Sequence, residues 1–146
     1  MKWRFVVVGK PSLAYAKAGL HEYLGRLKRY TSVEFLPVKR GSQQVEGERL
    51  LAASKGCFRI VFDERGDELD TANLTKRVEG LEMDGLVKSV AVLIGGADGH
   101  GFEVRESADL MLSFGRLTLQ HELALVAAVE QIYRVYTVKR GEPYHR

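Results

Sequence analysis

Apolar residues in this chain fall into two rhythms, short unbroken runs and helically spaced stripes, and the two alternate along its length. An unbroken run suits a strand buried on both faces, as in a parallel sheet covered by helices. Lys2 to Val8 is the first such run and stops at Gly9-Lys10-Pro11. Thr31 to Val38 is the second, ending in the basic loop Lys39-Arg40-Gly41-Ser42. Phe58 to Phe62 predicts a third strand that turns at Asp63-Glu64-Arg65-Gly66, and Val87 to Ile94 predicts a fourth. A brief apolar piece follows at Met111 to Phe114.

Helical patterns fill the gaps. Ser12 is the expected N-cap of a helix whose Leu13, Ala16, Leu20, Leu24 and Leu27 share one stripe, with Lys17, Arg26, Lys28 and Arg29 off it. Gln43 to Lys55 has helical character without a strong stripe, Asp70-Thr71 caps a helix reaching Met83, and a short helix is expected around Phe102 to Leu110. The last helix runs from about His121 to Tyr136. Its first half, Leu123 to Val129, is apolar all round and is expected to be deeply packed. Strands alternating with helices predict one α/β domain over residues 1–146, a mainly parallel sheet flanked by helices.

Composition narrows this picture. A chain of 146 residues, 45% hydrophobic, can bury a core without a disulfide or metal staple. The one cysteine, Cys57, precedes the third apolar run and is expected to be a buried, inert thiol, as suits a reducing cytoplasm. No apolar stretch approaches the ~18 residues of a membrane span, so no membrane partner is expected. The net charge of +3 permits an anionic partner without demanding one.

The candidate site begins where the fourth strand ends. Val90-Ala91-Val92-Leu93-Ile94 breaks directly into Gly95-Gly96-Ala97-Asp98-Gly99. Ligands of open α/β sheets bind at the carboxyl ends of strands, and glycines there let the backbone come close to them. The standard nucleotide signatures fail, however. Gly96 to Gly101 has phosphate-loop spacing but is followed by Phe102-Glu103 instead of Lys and Ser or Thr, and no register gives the dinucleotide fingerprint. His21, His100, His121 and His145 match no metal-site spacing, so no metal is expected. What remains is a ligand held by main-chain groups without a triphosphate cradle, and an adenosyl compound fits that description. Asp98 either orients substrate or bonds its own backbone in a turn. Glu130 and Arg134, four apart on an apolar helix, are expected to pair structurally.

Three segments together resemble one family. They are Leu93-Ile94-Gly95-Gly96-Ala97-Asp98-Gly99, then Leu117-Thr118-Leu119-Gln120-His121-Glu122-Leu123 running into Glu130-Gln131-Ile132-Tyr133-Arg134, and the terminal Pro143-Tyr144-His145-Arg146. In order and spacing they resemble the RlmH family of SPOUT-class methyltransferases, which methylate N3 of a pseudouridine in 23S ribosomal RNA. The likeness runs the whole length of the chain. It implies a SPOUT domain with a C-terminal trefoil knot, S-adenosylmethionine as methyl donor, a cytoplasmic homodimer whose sites borrow from both chains, and ribosomal RNA in the 70S ribosome as substrate. Carried over by position, it implies donor contacts from Phe62, Gly96 and the loop Gly115, Arg116, Leu117, Thr118, Leu119 and Gln120. Ala97 and Gln120 stand where the family usually has proline, and Leu125 where it often has arginine.

Methylating an imide nitrogen requires that its proton leave and that the resulting charge on the flanking oxygens be stabilised. The candidates are His121, Tyr144, His145 and Arg146, with either histidine assisting proton removal and Arg146 stabilising the anion or gripping a phosphate. Arg26, Lys28, Arg29, Lys39, Arg40, Lys139, Arg140 and Arg146 are the charges available to RNA. The alternatives are another SPOUT enzyme acting on a transfer-RNA ribose or guanine, and a non-catalytic RNA-binding relic of the fold.

Overall fold

Lys2–Val8 (β1), Ser32–Val38 (β2), Phe58–Asp67 (β3), Ser89–Ile94 (β4) and Leu110–Leu112 (β5) form one sheet in a computed structural model that describes residues 1–146. Every pairing is parallel, in the spatial order β2-β1-β4-β3-β5. Parallel neighbours cannot be joined by tight hairpins, so each connection is a crossover carrying a helix. These are Ala14–Leu27 (α1), Gln43–Ala53 (α2), Thr71–Met83 (α3) and Phe102–Glu106 (α4), and the chain closes with His121–Lys139 (α5).

The unbroken apolar runs are explained by helices on both faces. Trp3, Phe5 and Val7 of β1 and Val90, Val92 and Ile94 of β4 point into the larger core, with Leu20 and Leu27 of α1, Val78 of α3 and Leu125, Val129 and Ile132 of α5. Val6, Val8, Ala91 and Leu93 point the other way, against Leu50 of α2 and Val104 of α4. Inside the larger core, Trp3 Nε1 donates to Tyr136 Oη at 2.8 Å, satisfying a buried indole. Asp70 caps α3 as its sequence position predicts, accepting the Asn73 amide at 2.7 Å.

Four expectations need correction. Residues 63–66 are no turn that ends a strand: β3 continues to Asp67, with a register shift in which both Phe62 and Asp67 lie opposite Leu112. Gly66 makes this possible, because a Cβ there would sit 2.5 Å from the Leu112 carbonyl carbon. Ser12 does not cap α1. That position falls to Leu13, which offers no side-chain acceptor, and Ser12 instead bonds Glu122 of α5. The first half of α5 is packed on one side and not all round, with Leu125, Ala128 and Val129 buried. Leu123 is exposed and Ala124, Val126 and Ala127 are half-buried, whereas Ile132, Tyr133, Val135, Tyr136 and Thr137 are buried. Cys57 is only half-buried, its Sγ 3.7 Å from Arg4 Nη1.

Candidate active site

The bulged second half of β3 and the two loops that follow β4 and β5 enclose a cavity of about 490 Å³, within the range of small-molecule sites. The first supplies Phe62 and residues 63–65, the second residues 94–102, and the third Ser113, Phe114, Gly115, Leu117, Thr118 and Leu119, with His121 and Ala124 from α5.

Each loop is held by local bonds. The glycine segment turns through Gly99 N to Gly96 O at 3.0 Å, and Gln43 Nε2 of α2 donates to the Asp98 carbonyl at 2.9 Å. The Asp98 side chain makes no bond to its own backbone and is exposed at the cavity edge. In the loop after β5, Ser113 Oγ accepts from Gly115 N at 3.0 Å and donates to Gly115 O at 2.8 Å, around a backbone at φ 114° that only glycine adopts without strain. Phe114 stacks on Phe62 with centroids 4.4 Å apart, 10° from parallel. This aromatic pair also borders a second cavity of about 500 Å³, which Glu68, Asp70, Glu130 and Gln131 help to line.

Of the residues singled out in the sequence, Phe62, Gly96, Gly115, Leu117, Thr118, Leu119 and His121 line the first cavity. Arg116 and Gln120 do not; both are exposed. Gln120 instead caps α5, its Oε1 accepting the amides of Glu122 at 2.8 Å and Leu123 at 3.1 Å. Leu125 is buried in the larger core, where an arginine would need a partner.

Within one chain, Tyr144, His145 and Arg146 border neither cavity. The tail lies on α5. Tyr144 Oη reaches Glu130 Oε1 at 2.9 Å, and its ring packs edge-on against Tyr133. Glu130 also takes Arg134 Nη2 at 2.6 Å, the pairing expected from the sequence, and Arg134 Nη1 lies 3.2 Å from His145 Nδ1. Burial first, then contact with Tyr23 and Glu130, pushes the Tyr144 phenol well above its usual range, so it stays protonated and suits an anchor rather than a base. His145 and Arg146 are exposed.

The sequence offers His100 no role, since it matches neither a metal-site spacing nor a phosphate loop, and the structure gives it a place. It is buried and lines the first cavity, and neither ring nitrogen makes a hydrogen bond of good geometry, although the Leu93 and Phe62 main chain lies close enough to pull its pKa upward. Burial lowers its pKa, against the opposing pull of Asp63, so the imidazole is neutral. A histidine between two glycines carries no periodic signal, and its burial follows only from how the loop folds back over β3 and β4. Phe114 was likewise legible only as part of an apolar piece.

Known proteins supply the context for this geometry. Residues 1–145 match the family described as "Predicted SPOUT methyltransferase". Over its full length the chain is 47% identical to the ribosomal RNA large subunit methyltransferase H of Thermus thermophilus, covering 99% of that protein. It is 40% identical to the protein of the same name from Deinococcus radiodurans, again covering 99% of it. The chain belongs to the RlmH family of SPOUT methyltransferases. The fold agrees. A methylase family protein from Haemophilus influenzae superposes with a TM-score of 0.62 at 10% identity, covering 99% of this chain and 70% of that one. The tRNA (m1G37) methyltransferase of Aquifex aeolicus gives 0.58 at 14% identity, covering 92% and 70%.

A SPOUT methyltransferase uses an adenosyl methyl donor, and the cavity fits such a group. Its walls combine aromatic and aliphatic side chains with main-chain amides and carbonyls, and His100 adds ring nitrogens without a well-formed hydrogen bond. No three His, Cys, Asp or Glu side chains come together as metal ligands. No helix is long and apolar enough to cross a membrane.

Proposed function

We propose that this protein transfers a methyl group from S-adenosylmethionine to N3 of a pseudouridine in 23S ribosomal RNA. The observation that carries the proposal is full-length similarity, 47% and 40% identical, to enzymes named for large-subunit ribosomal RNA methylation, in a chain whose strands and loops enclose a cavity suited to the donor. The bound donor supplies an electrophilic methyl group on a sulfonium. The chain's own task is to hold reactants in line, and such positioning can lower a barrier by about 7–11 kcal/mol in favourable cases.

Phe62, Gly96, Gly115, Leu117, Thr118 and Leu119 bind the donor along the cavity, while Gln120 caps α5 where the loop after β5 ends and Arg116 stays exposed outside it. His121, which lines the cavity, assists removal of the imide proton. The protein acts as a homodimer, and the exposed His145 and Arg146 serve the cavity of the partner chain, where Arg146 stabilises the anionic base or grips a phosphate. Tyr144, Glu130 and Arg134 set the direction in which that tail leaves α5. The trefoil knot belongs to the same proposal. Its support is that residues 113–120 leave the edge strand β5 and lead into α5, which packs against both α1 and α3 over the larger core.

The site of action is the 70S ribosome in the cytoplasm. A chain of 146 residues offers little surface for reading sequence, so a preassembled ribosomal surface supplies most of the recognition. Contacts from Arg26, Lys28, Arg29, Lys39, Arg40, Lys139 and Arg140 to phosphates would make binding weaken steeply with salt.

The direct test incubates the protein with methyl-labelled donor and ribosomes from a strain lacking its own copy of the enzyme. Label on N3 of one pseudouridine is expected. Label on a ribose, on a guanine or nowhere would overturn the proposal.

A further inference from the structure

We infer that His100 is a donor-binding residue whose imidazole hydrogen-bonds the adenosyl group from the buried side of the cavity. The inference rests on the donor chemistry proposed above and adds to it a side chain that the family likeness did not supply.

His100 is only 5% exposed, yet neither ring nitrogen makes a hydrogen bond of good geometry: the Leu93 and Phe62 main chain lies only near enough to pull its pKa upward, and no other buried side chain is left in that condition. Evolved cores pair their buried polar groups, and the exceptions gather where a ligand completes the bonding. The ring lines the first cavity, which gives such a ligand access. It is also held in place. The His100 carbonyl accepts Arg105 Nη1 at 2.6 Å, and a Cβ on Gly95 would lie 3.3 Å from Cε1.

The charges facing it, Asp63 from the middle of β3 and Arg105 from α4, act in opposite directions. A neutral imidazole offers one N–H and one lone pair. Ribose hydroxyls and the edge of adenine present acceptors and donors to match both. A cationic group here would repel the sulfonium and ammonium of the donor, whereas neutral histidine does not. A residue serving only to fill this space would satisfy the packing better as leucine.

Three measurements test the inference. S-Adenosylhomocysteine and methylthioadenosine are titrated calorimetrically into the wild-type protein and into His100→Leu and His100→Asn. Melting temperatures are recorded without ligand, and the wild-type ring nitrogens are followed by 15N NMR. Expected for His100→Leu is roughly tenfold weaker binding of both ligands, the scale of one lost hydrogen bond, together with a higher melting temperature of the free protein. His100→Asn, which keeps a donor and an acceptor, should recover part of the affinity, and the ring nitrogen signals should shift on ligand binding. Unchanged affinity in His100→Leu, or ring signals that ignore the ligand, would overturn the inference and leave the methyltransferase reading intact. Failure of the wild-type protein to bind either ligand would overturn both.

Discussion

Tyr144 donates its hydroxyl to Glu130 at 2.9 Å, and that bond joins the end of the chain to the middle of α5. Arg134 strengthens the joint from two sides, binding Glu130 and lying 4.7 Å over the Tyr144 ring. The tail is therefore a docked element with an exposed tip.

Arg134→Ala should loosen this joint without touching the cavity. About 1–2 kcal/mol of stability should be lost, the scale of charge-assisted bonds to a partly buried carboxylate. Urea unfolding gives that number. Ribosome methylation should fall at the same time, while S-adenosylhomocysteine affinity stays at the wild-type level. Deleting residues 144–146 should abolish methylation, and full activity in the truncated protein would remove the tail from the mechanism.

Glu122 ties the start of α1 to the start of α5, accepting the amides of Ser12 at 2.6 Å and Leu13 at 3.1 Å. Burial alone would raise its pKa, but these bonds outweigh burial and hold it below the usual 4.5. A depressed folded-state pKa contributes stability that is fully present above 4.5 and is lost as pH falls through the lower folded value. Acid unfolding curves should show this component in the wild type and not in Glu122→Gln. Glu122→Ala should cost about 2 kcal/mol at neutral pH, since two amides lose a charged acceptor.

Gly66→Ala is expected to be among the most damaging single-methyl additions. The new Cβ would meet Leu112 main-chain atoms at 2.5–2.7 Å, and backbone cannot yield as a side chain can. A loss of about 3 kcal/mol, the upper end of overpacking effects, should be measurable by denaturant unfolding. Because β5 leads directly into Ser113 and Gly115, donor affinity should fall with stability.

His100 gives a second pH signature, in a higher pH window. Its folded-state pKa lies below 6.5, so the unfolded chain takes up a proton first as pH drops. Stability should therefore decline from about pH 6.5 downward until the folded-state value is passed. The difference in unfolding free energy between wild type and His100→Leu, measured from pH 7.5 to 5, isolates this component and should grow toward acid.

Local rules were legible where partners are close in sequence. Asp70 meets Asn73 and Glu130 meets Arg134, three and four residues away, and both pairings could be read from spacing. Ser12 shows the limit. As a helix-start serine it predicts a cap, but its partner is Glu122, which no local pattern can indicate. Residues 63–66 mislead for the same reason. Polar residues and a glycine suggest a turn, whereas the opposing strand β5 draws them into a bulge.

The sequence alone determined the strand and helix alternation, the parallel class of the sheet and the glycine segment at the end of β4, because apolar periodicity and chain reversal are set by neighbouring residues. The family was legible too, through motifs whose order survives without any knowledge of their contacts. Only the tertiary structure decided that His100 lies buried without a well-formed hydrogen bond, that Phe62 and Phe114 stack, and that the tail rests on α5. Each of these depends on surfaces brought together from distant parts of the chain, and burial is a property of those surfaces rather than of any one residue's letter.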